Sequence, residues 1–561
     1  MNRKLMTIIL VLTLTITLVS GCGTPNVSIA PSTTTAPTTA TSTTPAEVEA
    51  GAVVDEVKLG SGNTVFIYTP VSDLMGSRPT STPVLIVFGN ENYTLGTAKT
   101  TAENSSLADL AAKEGCVIVF VNSISGTWAE ADTKSYLALN AVISDSSDTG
   151  YVNGKTEEAP FRYAGSRERY YIYADGAGAD FVAKYNLFGP ALTTRGEFTP
   201  ASVTLFNLSS LPAFAAQAVD IPVVTVNGPA GIENKLKIAS PSGVYKMETS
   251  TAKTGFDSSI IAADYAEIAG AYRREMGVLI KVPDYPALGI TETIRTETIS
   301  TGEIEYYEYI PDNLDMTKAA SVPLVMIFHG GGSHAEYYAW ATEWPLIGKD
   351  NGFMVVSVNK HVDRSSDEIV ELLQILETKY PAIDKTRIYA CGFSMGGVKS
   401  WNIGMRHSDQ FAGVIPCDAG YMADGSASDE NGANIMPLFY VAGGVSMLSE
   451  RPHQDGQKAN NVDQMLATYF KMNKVNEAYV FDAASGVWGL KADSTKTVPD
   501  PVFVDNTAEI SYYKSADGNI YTALCLDTNK AHMVYASDSY IAWEFIRQFS
   551  RNSDGTIKIS K

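Results

Sequence analysis

Residues 387–397 read Arg387-Ile388-Tyr389-Ala390-Cys391-Gly392-Phe393-Ser394-Met395-Gly396-Gly397. A short apolar run ends at a glycine, and a serine follows two residues later with glycines close behind it. The run has the length and composition of a buried strand, and the residues after Ser394 suit a helix. A serine on so abrupt a strand-to-helix turn needs glycines around it. They let the chain bend sharply and let the helix pack close, which holds the serine Oγ at the top of a sheet. A bare G-x-S-x-G is common; the strand before it and the helix after it give this one its weight. Ser394 is therefore a candidate nucleophile.

Working outward, strands alternate with helices. Pro323 to Phe328 and Phe353 to Val358 are short apolar runs rich in β-branched residues, as buried parallel strands are. Between Asp367 and Tyr380 the residues Ile369, Leu372, Leu373 and Leu376 fall at i, i+3, i+4 and i+7, which predicts a helix. Further strands are expected at Arg387 to Cys391, Phe411 to Ile415, Pro437 to Val441 and Tyr521 to Leu526, with a terminal helix around Ile541 to Phe549. Such alternation predicts an α/β fold with a mostly parallel sheet covered by helices on both faces.

The first half repeats the scheme. Pro83 to Phe88 answers Pro323 to Phe328, and Gly115 to Asn122 answers Gly352 to Asn359. Ile172 to Gly176 answers Ile388 to Gly392, and Pro222 to Gly228 answers Pro437 to Gly443. The spacing between partners shortens after the second pair, which fits an insertion in the first copy around the Ser/Asp-rich segment 143–157. Two tandem domains follow, 51–284 and 285–561, with the join near 283–290. Aligned on the third pair, Gly178 stands for Ser394 and Asp180 for Gly396, while Gly89 stands for His329. All 6 histidines lie at 329 or beyond, so the first copy has no histidine base and reads as degenerate. A substrate-docking or stabilising role is expected of it.

Around Ser394 three further groups are needed. His329-Gly330-Gly331-Gly332-Ser333 follows the strand Pro323 to Phe328 and suits a loop whose backbone N–H groups face a developing alkoxide. The expected donors are the N–H of Met395 and one from Gly331 or Gly332, with His329 a structural residue of the loop. The base must follow the serine in the chain. His532, just past the last strand, stands where the fold places it; His407 and His453 are the alternatives. The aromatic residues Tyr337, Tyr338, Trp340 and Trp344 suit the core face of the next helix better than an acyl pocket.

With these residues in view, the second half resembles the α/β-hydrolase esterases that include polyhydroxybutyrate depolymerases, feruloyl esterases and acetylxylan esterases. The resemblance rests on Asp384-Lys385-Thr386-Arg387-Ile388-Tyr389 leading into the serine turn, the His329 loop, and His532 with Trp543-Glu544-Phe545 behind it. It spans residues 290–550 and implies α/β-hydrolase-like architecture in both tandem domains. It also implies two-step acyl transfer through a Ser394 ester. The departure from the pattern is the acid. Relatives usually carry Asp where this chain has Ser446, which leaves Glu450 as the expected acid and Asp418 or Asp455 as rivals.

The N-terminal segment 1–21 reads as a signal peptide: Arg3 and Lys4 precede an apolar stretch that ends at Val19-Ser20-Gly21-Cys22. Those four residues resemble a bacterial lipobox, which implies lipid attachment to Cys22. Residues 22–50 are a Thr/Pro-rich tether with no apolar period. Export to the outer face of a bacterial membrane is expected. Lys and Arg total 42 against 62 Asp and Glu, a formal charge of −20, which argues against nucleic acid as a partner. Neither a C-x-x-C pair nor a His-rich cluster suggests a metal, and no cofactor is expected. The expected partner is an ester substrate: a polysaccharide side chain, a polyester or a small aryl ester. The rival expectation is a non-catalytic surface binding protein on the same scaffold, favoured by the missing Asp at Ser446.

Overall fold

The structure is a computed structural model that describes residues 52–70, 83–135, 139, 169–187, 200–211, 220–275, 278–331, 333–422, 434–446, 448–454, 458–475, 478–501 and 506–560. Segments 1–21 and 22–50 with Cys22, the expected loop 143–157, Gly332 and Asp455 lie outside the described residues. Residues Glu49–Lys561 belong to one compact unit.

Two large sheets organise that unit. The first contains β1 (Ala52–Lys58), β2 (Thr64–Pro70), β3 (Val84–Phe88), β4 (Val117–Val121), β5 (Tyr170–Asp175), β6 (Ser202–Phe206), β7 (Val223–Val226) and β8 (Tyr245–Glu248), in the order 1-2-4-3-5-6-7-8. A hairpin of β9 (Tyr272–Glu275) and β10 (Val278–Lys281) follows. The second sheet contains β11 (Ile290–Ile299), β12 (Gly302–Pro311), β13 (Val322–Phe328), β14 (Met354–Val358), β15 (Ile383–Phe393), β16 (Gly413–Cys417), β17 (Leu438–Gly443), β18 (Ser494–Pro499), β19 (Thr507–Lys514) and β20 (Ile520–Asp527). Its order is 11-12-14-13-15-16-17-20-19-18. Seven strands of the first sheet thus recur in the second in the same spatial order, and the expected pair of α/β-hydrolase-like architectures is what the chain adopts. The expected boundary at 284/285 falls in the connection between β10 and β11.

Strand alternation shows why helices cover both faces. In β13, Leu324, Met326 and Phe328 enter one core cluster, while Val325 and Ile327 enter another. In β3 the same split separates Val84, Ile86 and Phe88 from Leu85 and Val87. Successive side chains of a strand point to opposite faces, so apolar residues throughout demand cover on both. The first core of the second sheet is closed by the helices Ser366–Lys379, Met395–Arg406 and Asn461–Met472; the second by Ala335–Thr342, Trp344–Asn351 and Ala536–Ile546. Helix Ser366–Lys379 starts at a capping box in which Ser365 and Glu368 satisfy each other's backbone N–H. It buries the expected Ile369, Leu372, Leu373 and Leu376.

Several details differ from the sequence reading. The strands β11, β12, β18 and β19 pair antiparallel at the sheet's edges. They were not legible because charged and hydroxyl side chains interrupt the apolar run, as in β11 and β18. The terminal helix spans Ala536–Ile546, and Phe549–Arg551 is a short strand. The four described cysteines are buried, and no disulfide joins them.

The aromatic residues after the His329 loop lie in the core. Tyr338, Trp340 and Trp344 are buried, and the outer face of this helix receives the first half of the chain. The Arg169 guanidinium lies 5.2 Å from the Trp340 ring, and that of Arg273 lies 5.8 Å from it. Cations over indole faces are attractive, the more so when desolvated. These contacts make the helix a seam between the two halves.

The helix Met395–Arg406 is buried over most of its length, with Trp401 at its centre. Trp401 donates its indole N–H to Ala419 O (2.9 Å) and packs on Tyr440 and Tyr469. Trp401→Ala should cost about 3–5 kcal/mol of stability, the range for emptying a buried Trp site, read as a lowered urea midpoint.

Candidate active site

Ser394 sits between β15 and the helix Met395–Arg406 with φ 52° and ψ −115°. A non-glycine residue rarely adopts that conformation, and the surroundings hold it there. The Ser394 N–H donates to Cys417 O (2.9 Å). A Cβ on Gly396 would overlap the carbonyl of Phe328 at the end of β13, and one on Gly392 would overlap Gly396 O. The helix can approach the sheet this closely only because both positions lack a side chain.

The fold brings Ser394 to His532 and Glu450. Ser394 Oγ lies 2.9 Å from His532 Nε2, and His532 Nδ1 lies 2.5 Å from Glu450 Oε1. An ionised carboxylate only accepts hydrogen bonds, so Nδ1 carries the ring proton and Nε2 is left to accept from the serine hydroxyl. Phe393 packs against the imidazole, with ring centres 4.7 Å apart. The acid is buried, whereas the histidine side chain is 26% exposed. The charge that fixes the ring is thus shielded from water, while the reactive edge of the ring is accessible.

Glu450, the expected acid, is held in place by β17 and the loop after it. Its Oε2 accepts the N–H of Gly443 at the end of β17 (3.0 Å), and its Oε1 accepts the hydroxyl of Ser446 (2.5 Å). Ser446, at the position where an Asp was expected, therefore holds the carboxylate that replaces it. Tyr440 anchors the same residue by donating to Glu450 O (2.6 Å). Burial opposes the charge on Glu450, but hydrogen bonds from His532, Ser446 and Gly443 hold its carboxyl below the ordinary carboxylate range.

The other candidates are engaged elsewhere. His407 pairs with Asp367 (3.0 Å). His453 pairs with Asp463 (3.2 Å) and stacks on Phe481. Asp418 faces Lys530 Nζ (2.9 Å), which also meets Asp538 (2.6 Å) and Asp527 (3.8 Å). Lys530 is fully buried. Burial works against its charge, but the surrounding carboxylates hold its pKa well above the ordinary lysine value. Burial likewise holds Asp418 and Asp527 above the carboxylate range. Lys530 lies two residues before His532 and ties the histidine's loop to the loop after β16. Nothing in the spacing of a single lysine marks it from sequence.

The His329 loop is held by neutral histidines. His329 is buried beside the elbow, and its carbonyl meets His361 Nε2 (2.7 Å). His334 caps the next helix by accepting the N–H of Glu336 (3.3 Å), and its Nε2 contacts Asn359 Nδ2 (3.0 Å). Burial lowers the His334 pKa to about 3 and that of His361 well below the ordinary value. Gly331 lies against Met395, since a Cβ there would stand 3.2 Å from the Met395 side chain. Met395 opens its helix, so its N–H has no intrahelical acceptor and is free to face a ligand. Gly332, the alternative donor, lies outside the described residues. His361, His334 and Lys530 escaped the sequence reading, and Ser446 was read there only as the place of a missing acid.

The first half carries the same elbow with different residues. β3 pairs Phe88 with Ala174 of β5, as β13 pairs Phe328 with Gly392 of β15. Strand register therefore puts Gly176, not Gly178, at the place of Ser394. Gly176 has φ 55° and ψ −120°, close to the serine's values. Gly178 takes the role of Gly396, since a Cβ there would press on Phe88 O. The sequence alignment was two residues out because it matched Ile-Tyr-Ala with Ile-Tyr-Ala, whereas pairing with the neighbouring strand fixes the true register. The conclusion that this copy has no serine at the elbow is unchanged.

No family model matches the chain. Over 265 residues it is 22% identical to a bifunctional acetylxylan esterase/xylanase of Neocallimastix patriciarum, covering 46% of this chain and 34% of that protein. Over 130 residues it is 27% identical to feruloyl esterase B of Thermothelomyces thermophilus, covering 20% of this chain and 43% of that one. The chain thus spans less than half the length of the curated relatives it matches. Among solved structures, an acetyl xylan esterase from Aspergillus awamori overlaps 45% of this chain and 98% of its own, at 12% identity and a TM-score of 0.32. The feruloyl esterase module of Clostridium thermocellum, in a mutant form with sinapinate, overlaps 33% and 77%, at 18% identity and a TM-score of 0.26. Overlaps this loose carry no argument; the two sequence matches carry the likeness to feruloyl and acetylxylan esterases. Among the described residues no group of three or more His, Cys, Asp or Glu is arranged to hold a metal ion, and no helix is long and apolar enough to cross a membrane.

Two outcomes follow from the buried charges. Lys530→Met leaves carboxylates buried without their cation and should cost about 3–5 kcal/mol, measured by chemical denaturation. His334 stays neutral in the folded protein down to about pH 3, while the unfolded chain takes up the proton near its ordinary value of 6.5. Its contribution to stability is full above that value and falls as pH drops towards 3. His334→Asn, which retains a helix-capping acceptor, should flatten the fall of the urea midpoint over that window.

Proposed function

We propose that this relative of the feruloyl and acetylxylan esterases is a serine carboxylic ester hydrolase, with Ser394 as nucleophile, His532 as base and Glu450 as the acid. The observation that carries the reading is the unbroken relay from Ser394 Oγ through His532 to Glu450, at 2.9 and 2.5 Å. The acid gap at Ser446, which favoured a non-catalytic binding protein, is filled in space by Glu450.

The chemistry proceeds in two halves. His532 Nε2 takes the hydroxyl proton as Ser394 Oγ bonds to the ester carbonyl carbon. The carbonyl oxygen becomes an alkoxide facing the N–H groups of Met395 and Gly331. The carbon–oxygen bond to the alcohol then breaks, and His532 returns the proton to the departing alcohol. Water attacks the acyl-serine by the same path, releasing the acid and restoring Ser394. Throughout, Glu450 fixes the ring tautomer and stabilises the imidazolium without itself becoming protonated.

The substrates we propose are acetyl or feruloyl side chains of a polysaccharide, with a polyester such as polyhydroxybutyrate as the alternative. The similarity to acetylxylan and feruloyl esterases supports the first class. The signal-like segment 1–21, Cys22 and the Thr/Pro-rich residues up to 50 support export and lipid tethering at the outer membrane face.

Ser394→Ala should abolish hydrolysis of p-nitrophenyl acetate and covalent labelling by a fluorophosphonate probe. Unchanged turnover in that variant would sink the assignment, and absence of labelling in the wild-type protein would favour the binding-protein reading. Glu450→Gln should retain labelling at a reduced rate and lose about 10²–10⁴ in kcat, the scale for removing the group that orients the base.

A further inference from the structure

The first half holds a cleft of about 410 Å³ beside the place corresponding to the Ser394 centre, lined among others by Asn90, Asn92, Tyr93, Thr101, Asn104 and Phe256. It opens at the carboxyl ends of β3 and β5. The order 4-3-5 means that the chain leaves β3 for one neighbour and returns on the other side for β5. Open α/β sheets bind their ligands in the crevice at such a switch point.

Acyl transfer is blocked in this cleft by more than a missing serine. Asn90 replaces Gly330, and its Oδ1 accepts the N–H of Ala177 (3.0 Å). Ala177 stands for Met395, so a side-chain amide oxygen occupies the donor that an alkoxide would need. A Cβ on Gly176 would overlap the Asn90 side chain. The nucleophile and the charge it generates are both excluded.

The loop that does this is nevertheless firmly built. Asn92 donates to Ser123 O (2.9 Å) and accepts from Ser123 N–H (2.8 Å). Asn122 exchanges a similar pair of bonds with the backbone of Tyr93, at 2.7 and 2.8 Å. Asp175 is tied by Asn207 (2.8 Å) and by the N–H of Gly255 (3.0 Å). A rigid wall reduces the entropy lost on binding. Its chemistry is mostly neutral: amides and hydroxyls from Asn104, Thr97, Thr100 and Thr101, with a half-buried Phe256 ring beside them. Such groups match the hydroxyls and the C–H face of a sugar. The carboxylates of Glu91 and Asp175, in a chain of net charge −20, disfavour an acidic one.

We propose that this cleft binds a neutral oligosaccharide segment. That it thereby holds the polymer whose ester groups Ser394 attacks rests on the esterase reading; the binding itself does not. The test uses the full chain carrying Ser394→Ala, titrated calorimetrically with xylohexaose, cellohexaose and mannohexaose. Asn104→Trp and Thr100→Tyr, both at exposed positions of the helix Leu95–Asn104, serve to fill the cleft. The expected result is saturable binding of at least one of the three, weakened tenfold or more by each filling substitution. In the Ser394 background the same substitutions should raise KM on polymeric acetylated xylan and leave p-nitrophenyl acetate turnover unchanged. No binding of any of the three, or binding indifferent to both substitutions, overturns the proposal. Loss of p-nitrophenyl acetate turnover in the wild-type protein with binding intact would instead overturn the esterase reading alone.

Discussion

The missing side chain at Gly396 is the constraint from which the rest of the candidate site follows. The helix Met395–Arg406 lies so close to the end of β13 that a single Cβ would strike the Phe328 carbonyl. This approach forces the residue at the turn to a positive φ, lifts Ser394 Oγ above the sheet edge and aims the first N–H of the helix at the same space. The first half keeps the contact through Gly178 and Phe88 while carrying glycine at the turn. Close packing of helix on sheet is thus a demand of the fold, and the serine is an addition to it. The two halves thus share the architecture while only the second carries a serine at the turn.

Charge around the site is arranged in layers of decreasing burial. At the base, Lys530 binds Asp418 and Asp538 in the protein interior and fastens the loop that bears His532 to the one beyond β16. Above it, Glu450 is buried but satisfied by three hydrogen bonds, from His532, Ser446 and Gly443. Only the imidazole is exposed. An unpaired buried charge is strongly destabilising, whereas a paired one is tolerable, so Glu450 comes with its own donors and Asp418 and Asp538 come with the Lys530 cation. On the other side of Ser394, His329, His334 and His361 shape the glycine-rich loop through hydrogen bonds and ring contacts. Two of them are held neutral by burial, which keeps positive charge away from the backbone donors of that loop.

Much of this was legible in one dimension. The buried parallel strands stand out as apolar runs because they are covered on both faces. The helix Ser366–Lys379 stands out because its apolar residues repeat with the helical period. The serine turn stands out because its glycines are required within a few residues of one another. The edge strands were missed because charged and hydroxyl residues interrupt their apolar runs, and the seam at Trp340 was read only as core because Arg169 and Arg273 lie far away in the chain.

The sequence by itself determined the elements, the repeat and the serine turn, since these depend on contacts between residues that are neighbours along the chain. Only the tertiary structure decided which histidine and which carboxylate stand beside Ser394. Residues 394, 450 and 532 share no local pattern, and β17 and β20 must pair in parallel before Glu450 and His532 face one another. The register of the degenerate elbow was settled in the same way. Hydrogen bonding between strands, rather than likeness of residues, put Gly176 where the second half has its serine.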